Sequence, residues 1–199
     1  MLSPMGLEVA VTIVVGYLVG SIPVANLVAA RRARIDLRTV GDRNPGFWNA
    51  RETLGKRAAI PVFLGDVAKG IISASVGALL ADPGVWWLAY VGAGAAMVGH
   101  AFPVFDHFRG GRSILTFAGG AAVFAPLPFV ITIALLLVVF AVTRSFARAA
   151  QVGFFAFPVV QIVIEGPYRT AATGVLMTFI GLRFAMAALA DRRAATDQV

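Results

Sequence analysis

The chain has 199 residues, 59% of them hydrophobic and 14% charged, with a mean hydropathy of +0.83; this is more apolar surface than one soluble domain of its size can cover with polar groups. Disordered, collagenous and disulfide-stapled classes are excluded, and the absence of cysteine also removes thiol nucleophiles and cysteine metal sites. Seventeen Lys+Arg against ten Asp+Glu give a net charge of +7, which in so apolar a chain reads as membrane sidedness and not as nucleic-acid binding.

The fold expected is an all-α, polytopic membrane protein forming a single membrane domain over residues 1–199. Apolar runs of about 18 or more residues, each long enough to cross about 30 Å of hydrocarbon, recur along the chain. The first runs from Gly6 to about Ala30 and ends on Arg31, Arg32, Arg34 and Arg38, the positive flank of an anchor and not a cleavage site. Further spans are expected at Ala58 to about Leu80, Val85 to about Phe105, Pro126 to about Val142, Ala147 to about Ile164 and Thr170 to about Ala190. Ile114 to about Phe124 is too short for an ordinary span and opens beside a glycine pair, so it reads as a broken or half-depth helix. The total is about seven helices, or six full spans and one re-entrant piece.

With the N-terminus outside, the segments 31–57 and 106–113, the turn at Arg144 to Arg148 and the pair Arg192 and Arg193 all fall in the cytoplasm with the C-terminus. That placement puts fourteen of the seventeen cations inside, as the positive-inside rule requires. High Gly and Ala content and the preference for Arg over Lys suggest a bacterial genome rich in G and C.

Polar residues concentrate in three places. The loop from Val40 to Arg57 holds Asn44, Gly46 and Asn49 among the cations Arg43, Arg51, Lys56 and Arg57; it suits a phosphate, or is a solvated basic loop with an Asn-Pro-Gly turn. Asp66 and Lys69 share one face of a helix within the membrane, where ionisable groups are functional candidates or a structural ion pair. His100 sits near a helix end, either as a hydrogen-bonded terminus or as a group that moves a proton or binds phosphate. The segment Gly110-Gly111-Arg112 precedes a helix, so its N–H groups and the Arg112 fork are placed for an anion. Arg183 reads as a snorkelling cation and Gly119-Gly120 as a close-packing site. No P-loop, His-Glu-x-x-His or His-x4-Asp pattern occurs, and two histidines do not suggest a metal cluster.

In order and spacing, Gly20-Ser21-Ile22-Pro23, the Val40 to Lys56 loop, Gly65-Asp66-Val67-Ala68-Lys69-Gly70, Gly99-His100-Ala101-Phe102-Pro103 and Gly110-Gly111-Arg112 resemble the acyl-phosphate:glycerol-3-phosphate acyltransferase family (PlsY). The resemblance implies a plasma-membrane enzyme of phospholipid biosynthesis. Such an enzyme moves a fatty acyl group from acyl phosphate to the 1-hydroxyl of glycerol 3-phosphate, with no cofactor. It further implies catalytic roles for Asn44, Asn49 and His100, and phosphate-binding roles for Gly46, Lys69, Gly110, Gly111 and Arg112. Two family residues, a serine and an arginine, are here Asp42 and Glu52, and the family's His-x-x-Asn segment has no counterpart between Leu182 and Arg193. Two carboxylates beside a phosphate repel it unless neighbours pair with them. Arg43, Arg51 and Lys56 are the expected compensating charges, with Glu52 and Lys56 spaced for an i, i+4 pair. The alternatives are transfer to another polar acceptor, a catalytically altered or non-catalytic homologue that binds anionic lipid or phosphate in an assembly or regulatory role, and a transporter, against which the lack of inverted repeats counts.

Overall fold

A computed structural model describes residues 3–196, apart from the side chains of residues 191 and 193–195; the side chain of Arg193, half of the last basic pair, thus lies outside what is described. Among the described residues nine α-helices follow in order: α1 (Pro4–Gly20), α2 (Val24–Ala33), α3 (Phe47–Leu54), α4 (Lys56–Leu80), α5 (Trp87–Ala101), α6 (Ile114–Phe124), α7 (Pro126–Thr143), α8 (Phe146–Glu165) and α9 (Pro167–Thr196). Six segments among the described residues are long and apolar enough to cross a membrane, with α6 as a shorter apolar helix beside them. This is the all-helical membrane architecture expected from the hydropathy pattern.

Two boundaries differ from that pattern. The first apolar run is not one helix: Pro23, which has no N–H to donate, separates α1 from α2 at the Ser21-Ile22-Pro23 step. The segment 31–57 is not a plain loop either. It contains α3, and Leu37 and Ala50 are buried with Ala25, Ala29 and Val62 in a small apolar cluster of their own. Period-3.6 patterning was hard to see there because Phe47–Leu54 spans only two turns between Gly46 and Gly55.

The short α6 lies at the centre of the bundle, buried at Thr116, Phe117, Gly119, Gly120, Ala121 and Phe124. It reaches α4 backbone to backbone: a Cβ on Gly70 would overlap the Thr116 carbonyl, and one on Gly119 the Val67 carbonyl. Close approach of this kind is how membrane helices associate without a hydrophobic drive between them. The α1–α5 contact is built the same way, since a Cβ on Gly20 would overlap the Ala96 backbone. The helices α7 and α9 stand at the periphery with leucine, valine and isoleucine facing outward, as lipid contact permits.

Candidate active site

The helix α4 brings Asp66 and Lys69 to one face, and the last turn of α5 brings His100 against them. Lys69 Nζ donates to Asp66 Oδ1 at 3.0 Å and lies 3.2 Å from His100 Nδ1, which is itself 3.5 Å from Asp66 Oδ1. Asp66 is 2% exposed, Lys69 3% and His100 8%. Three ionisable groups so deep survive only because each faces another. With the ammonium donating to Nδ1, a neutral His100 ring carries its hydrogen on Nε2, the atom that faces Gly111.

Beyond α5 the chain doubles back through a 3-10 turn, Val104–Asp106, to the glycine pair. Gly110 N donates to Ala101 O and Gly111 N to His100 O, each at 3.0 Å. This corrects one expectation: the glycine N–H groups do not point at an anion but cap the carbonyl end of α5. The glycines are needed for closeness, since a Cβ on Gly110 would overlap the His100 carbonyl and one on Gly111 the His100 ring. Ser113, at φ 63, occupies the left-handed region that favours glycine, and its hydroxyl donates to Met97 O at 2.7 Å, which helps hold it there.

Two arginines meet on this turn. Arg112 Nη1 donates to Asp42 Oδ2 at 3.1 Å, so Asp42 is paired, and the guanidinium lies 4.7 Å from the Phe184 ring centroid. Arg183 does not snorkel to the surface as expected. Its Nη2 donates to Gly110 O at 3.1 Å and its Nε to Gly111 O at 3.4 Å, while the guanidinium covers the Phe102 ring at 4.7 Å. An arginine spaced well inside the last helix was visible in the sequence, but which turn it would reach was not.

The loop before α3 is built around Asn49. Its Nδ2 donates to Leu37 O and Val40 O, each at 2.9 Å, and its Oδ1 accepts from Thr53 Oγ1 at 3.0 Å. The side chain of Asn49 is therefore committed to holding the loop and is not free for substrate, which corrects the catalytic expectation. Asn44 is half-buried beside Gly46, its N–H donating to Asp42 Oδ1 at 3.1 Å. Glu52 pairs with Arg51 at 3.5 Å; Arg51 lies over Trp48, and Lys56 is exposed at the start of α4. Arg51 thus pairs with Glu52 and Arg112 with Asp42, while none of Arg51, Lys56 and Arg112 is among the residues that line the pocket formed by Asp66, Lys69 and His100. Arg43 takes a left-handed φ of 56 in the same loop.

Sequence reasoning passed over Asn26, Arg38 and Asp106. Asn26 Nδ2 donates to Asp106 Oδ2 at 2.7 Å and its Oδ1 accepts from Leu37 N at 3.1 Å. Arg38 bridges Asp36 at 2.6 Å and Asp106 at 2.8 Å, and its guanidinium holds the Asp36 carboxyl below the usual carboxylate range. Together they tie α2 and the 31–57 segment to the turn after α5. An asparagine inside an apolar run was the signal that could have found this.

Asp66, Lys69, His100, Gly110 and Gly111 line one pocket with Asn26, Pro45 and Asp106. Among the described residues, no group of three or more His, Cys, Asp or Glu side chains suited to a metal ion was found. The family model described as glycerol-3-phosphate acyltransferase matches residues 10–192. A glycerol-3-phosphate acyltransferase of Bacillus velezensis is 33% identical over 172 residues, 86% of this chain and 88% of that one. One of Geobacillus kaustophilus is 40% identical over 135 residues, 68% and 67% of the two chains. The crystal structure of PlsY (YgiH), an integral membrane glycerol 3-phosphate acyltransferase, in its glycerol 3-phosphate form superposes with a TM-score of 0.77 at 25% identity, covering 95% of this chain and 92% of that one. Its lysophosphatidic acid form gives 0.74 at 24% identity, covering 88% and 87%. Nearly the whole chain, including the loop, the buried ionisable cluster and the glycine turn, is therefore that of an integral membrane protein of the glycerol-3-phosphate acyltransferase family.

Proposed function

We propose that the chain transfers a fatty acyl group from acyl phosphate to the 1-hydroxyl of glycerol 3-phosphate in a bacterial plasma membrane. In this reading the N-terminus is outside, and the C-terminus and segments 31–57 and 106–113 are cytoplasmic. The observation that carries it is convergence: helix α4 meets the end of α5 and the glycine turn, about thirty to forty residues further along the chain, around Lys69, His100 and Gly111.

Acyl phosphate is an activated mixed anhydride, so positioning and charge stabilisation suffice and no covalent nucleophile is needed. The acceptor hydroxyl oxygen bonds to the carbonyl carbon, the carbonyl-to-phosphate C–O bond breaks, and the hydroxyl proton passes to a phosphate oxygen as phosphate leaves. His100 and Lys69 line the pocket, Arg112 on the glycine turn adds positive charge beside it, and Asn44 and Gly46 shape the adjoining loop. The pocket has a cavity volume of about 10 Å³, room for one water-sized group, so a phosphate ester has to displace the side chains around it.

An apolar groove of about 530 Å³, lined by Ile13, Tyr17, Gly94, Val98, Val175 and Leu176, suits the acyl chain. It runs along α5 toward the site, where the Tyr17 hydroxyl donates to Phe102 O at 3.0 Å. A Cβ on Gly94 would already touch Leu176 at 3.2 Å. Gly94→Phe is therefore expected to shift the ratio of kcat/KM for decanoyl over palmitoyl phosphate upward by about tenfold or more; an unchanged ratio removes the groove from the acyl site.

The test of the whole reading is purified protein with palmitoyl phosphate and labelled glycerol 3-phosphate, with lysophosphatidic acid followed by mass spectrometry. Product is expected, and Arg112→Ala is expected to lower kcat/KM by about a hundredfold. Asp42, whose carboxylate holds Arg112, favours a second reading in which the chain binds anionic lipid or phosphate without turnover. Binding of both substrates with no product across several acceptors would select it.

A further inference from the structure

The reading that a phosphate ester binds here leaves open which groups neutralise it: Lys69 is the Lys or Arg side chain among the pocket's lining residues, and Arg112 and Arg183 lie outside that lining, on the glycine turn at its edge. Lys69 is already paired with Asp66, and Arg38 with Asp36 and Asp106. Arg112 is likewise paired with Asp42, whereas Arg183 has no ion pair with a described carboxylate. The two arginines interlock across the turn: Arg112 stacks on Phe184, the residue after Arg183, and Arg183 stacks on Phe102, the C-cap residue of α5. Both guanidiniums are thus held against the glycine turn, and one carboxylate, Asp42, pairs with Arg112.

Their hydrogen bonding is also incomplete. Arg112 Nε is buried and has no partner among the described residues. Arg183 uses Nη2 and Nε on the Gly110 and Gly111 carbonyls, has no ion pair with any described carboxylate, and keeps its Nη1 hydrogens for another acceptor. A half-buried guanidinium without a carboxylate and a buried N–H left unmade are each costly until an acceptor reaches them.

We infer that Arg183 and Arg112 form a two-guanidinium clamp for the phosphate of the acceptor, with Arg183 supplying the second cation from the last span. Phosphate oxygens accept from Arg112 Nε and Arg183 Nη1 in a forked geometry that lysine does not reproduce. Its hold on the two glycine carbonyls makes Arg183 also the residue that fixes the turn to α9. The inference rests on the acyl-transfer reading only for the identity of the phosphate's owner.

The experiment combines steady-state kinetics with thermal protection in detergent, using glycerol 3-phosphate, inorganic phosphate and uncharged glycerol as probes. In Arg183→Ala the KM for glycerol 3-phosphate is expected to rise about 10- to 100-fold, with a smaller fall in kcat. Arg183→Lys recovers part of that loss, since it keeps the charge without the fork. Inorganic phosphate, but not glycerol, protects the native chain from thermal unfolding, and the protection disappears in Arg183→Ala. A folded Arg183→Ala with unchanged KM and unchanged phosphate protection overturns the clamp. Where that variant fails to fold, Arg183→Gln decides by the same two readings, because its amide still donates to the carbonyls while the charge is gone. A native chain that makes no product yet is protected by phosphate through Arg183 removes the acyl-transfer reading and keeps the clamp. Product formation unaffected by both variants does the reverse.

Discussion

Replacing Asp66 by alanine is expected to destabilise the protein by about 3–5 kcal/mol, because it leaves a buried ammonium without its counter-ion. Lys69 donates to Asp66 at 3.0 Å, and both side chains are at most 4% exposed. The loss is read as a drop in the midpoint of thermal or denaturant unfolding in detergent. The double variant Asp66→Leu with Lys69→Met separates stability from function. Removing both charges in favour of apolar groups of similar size is expected to recover most of the stability, since a buried ion pair contributes little over a well-packed apolar pair. Activity is expected to stay about a hundredfold or more below the native level, because His100 loses the ammonium that orients its ring. A double variant that is both stable and fully active would make the pair a packing device and nothing more.

Gly119→Leu is expected to prevent the native helix packing, at a cost of more than about 4 kcal/mol, which puts it among the rare severe substitutions. The new Cβ would fall on the Val67 carbonyl, which is backbone and cannot swing away. Displacing α6 from α4 moves the glycine turn at its start, so activity should disappear with the tertiary signal. Gly174→Leu provides the comparison: a Cβ there meets nothing within 4 Å, and near-native unfolding and activity are expected. Equal behaviour of the two variants would refute the close-packing account of α6.

These two variants also mark the limits of reading the sequence. Gly119-Gly120 and Asp66 with Lys69 were visible at once, because glycine pairs and charges are conspicuous in apolar runs and have few physical explanations there. The partner of each was not visible: that Gly119 meets Val67, or that His100 completes the ionisable cluster, depends on how α4, α5 and α6 cross. Asn49 shows the same limit in the other direction. Its place in a polar, glycine-rich loop suggested a substrate contact, yet its three hydrogen bonds are all spent within the loop.

By itself the sequence determined the solvent, the helical class, the approximate spans and the candidate chemistry, because hydropathy and charge act through burial in lipid and need no knowledge of contacts. Only the tertiary structure decided how those residues were used. It broke the first span at Pro23, folded 31–57 into a lobe, turned the Gly110 and Gly111 N–H groups onto α5, and brought Arg183 to the turn beside Arg112. The physical reason is that hydrogen bonds and ion pairs are short-ranged and directional, so they depend on which helices touch, and helix contacts across the bundle join residues too far apart in the chain for any local pattern to encode.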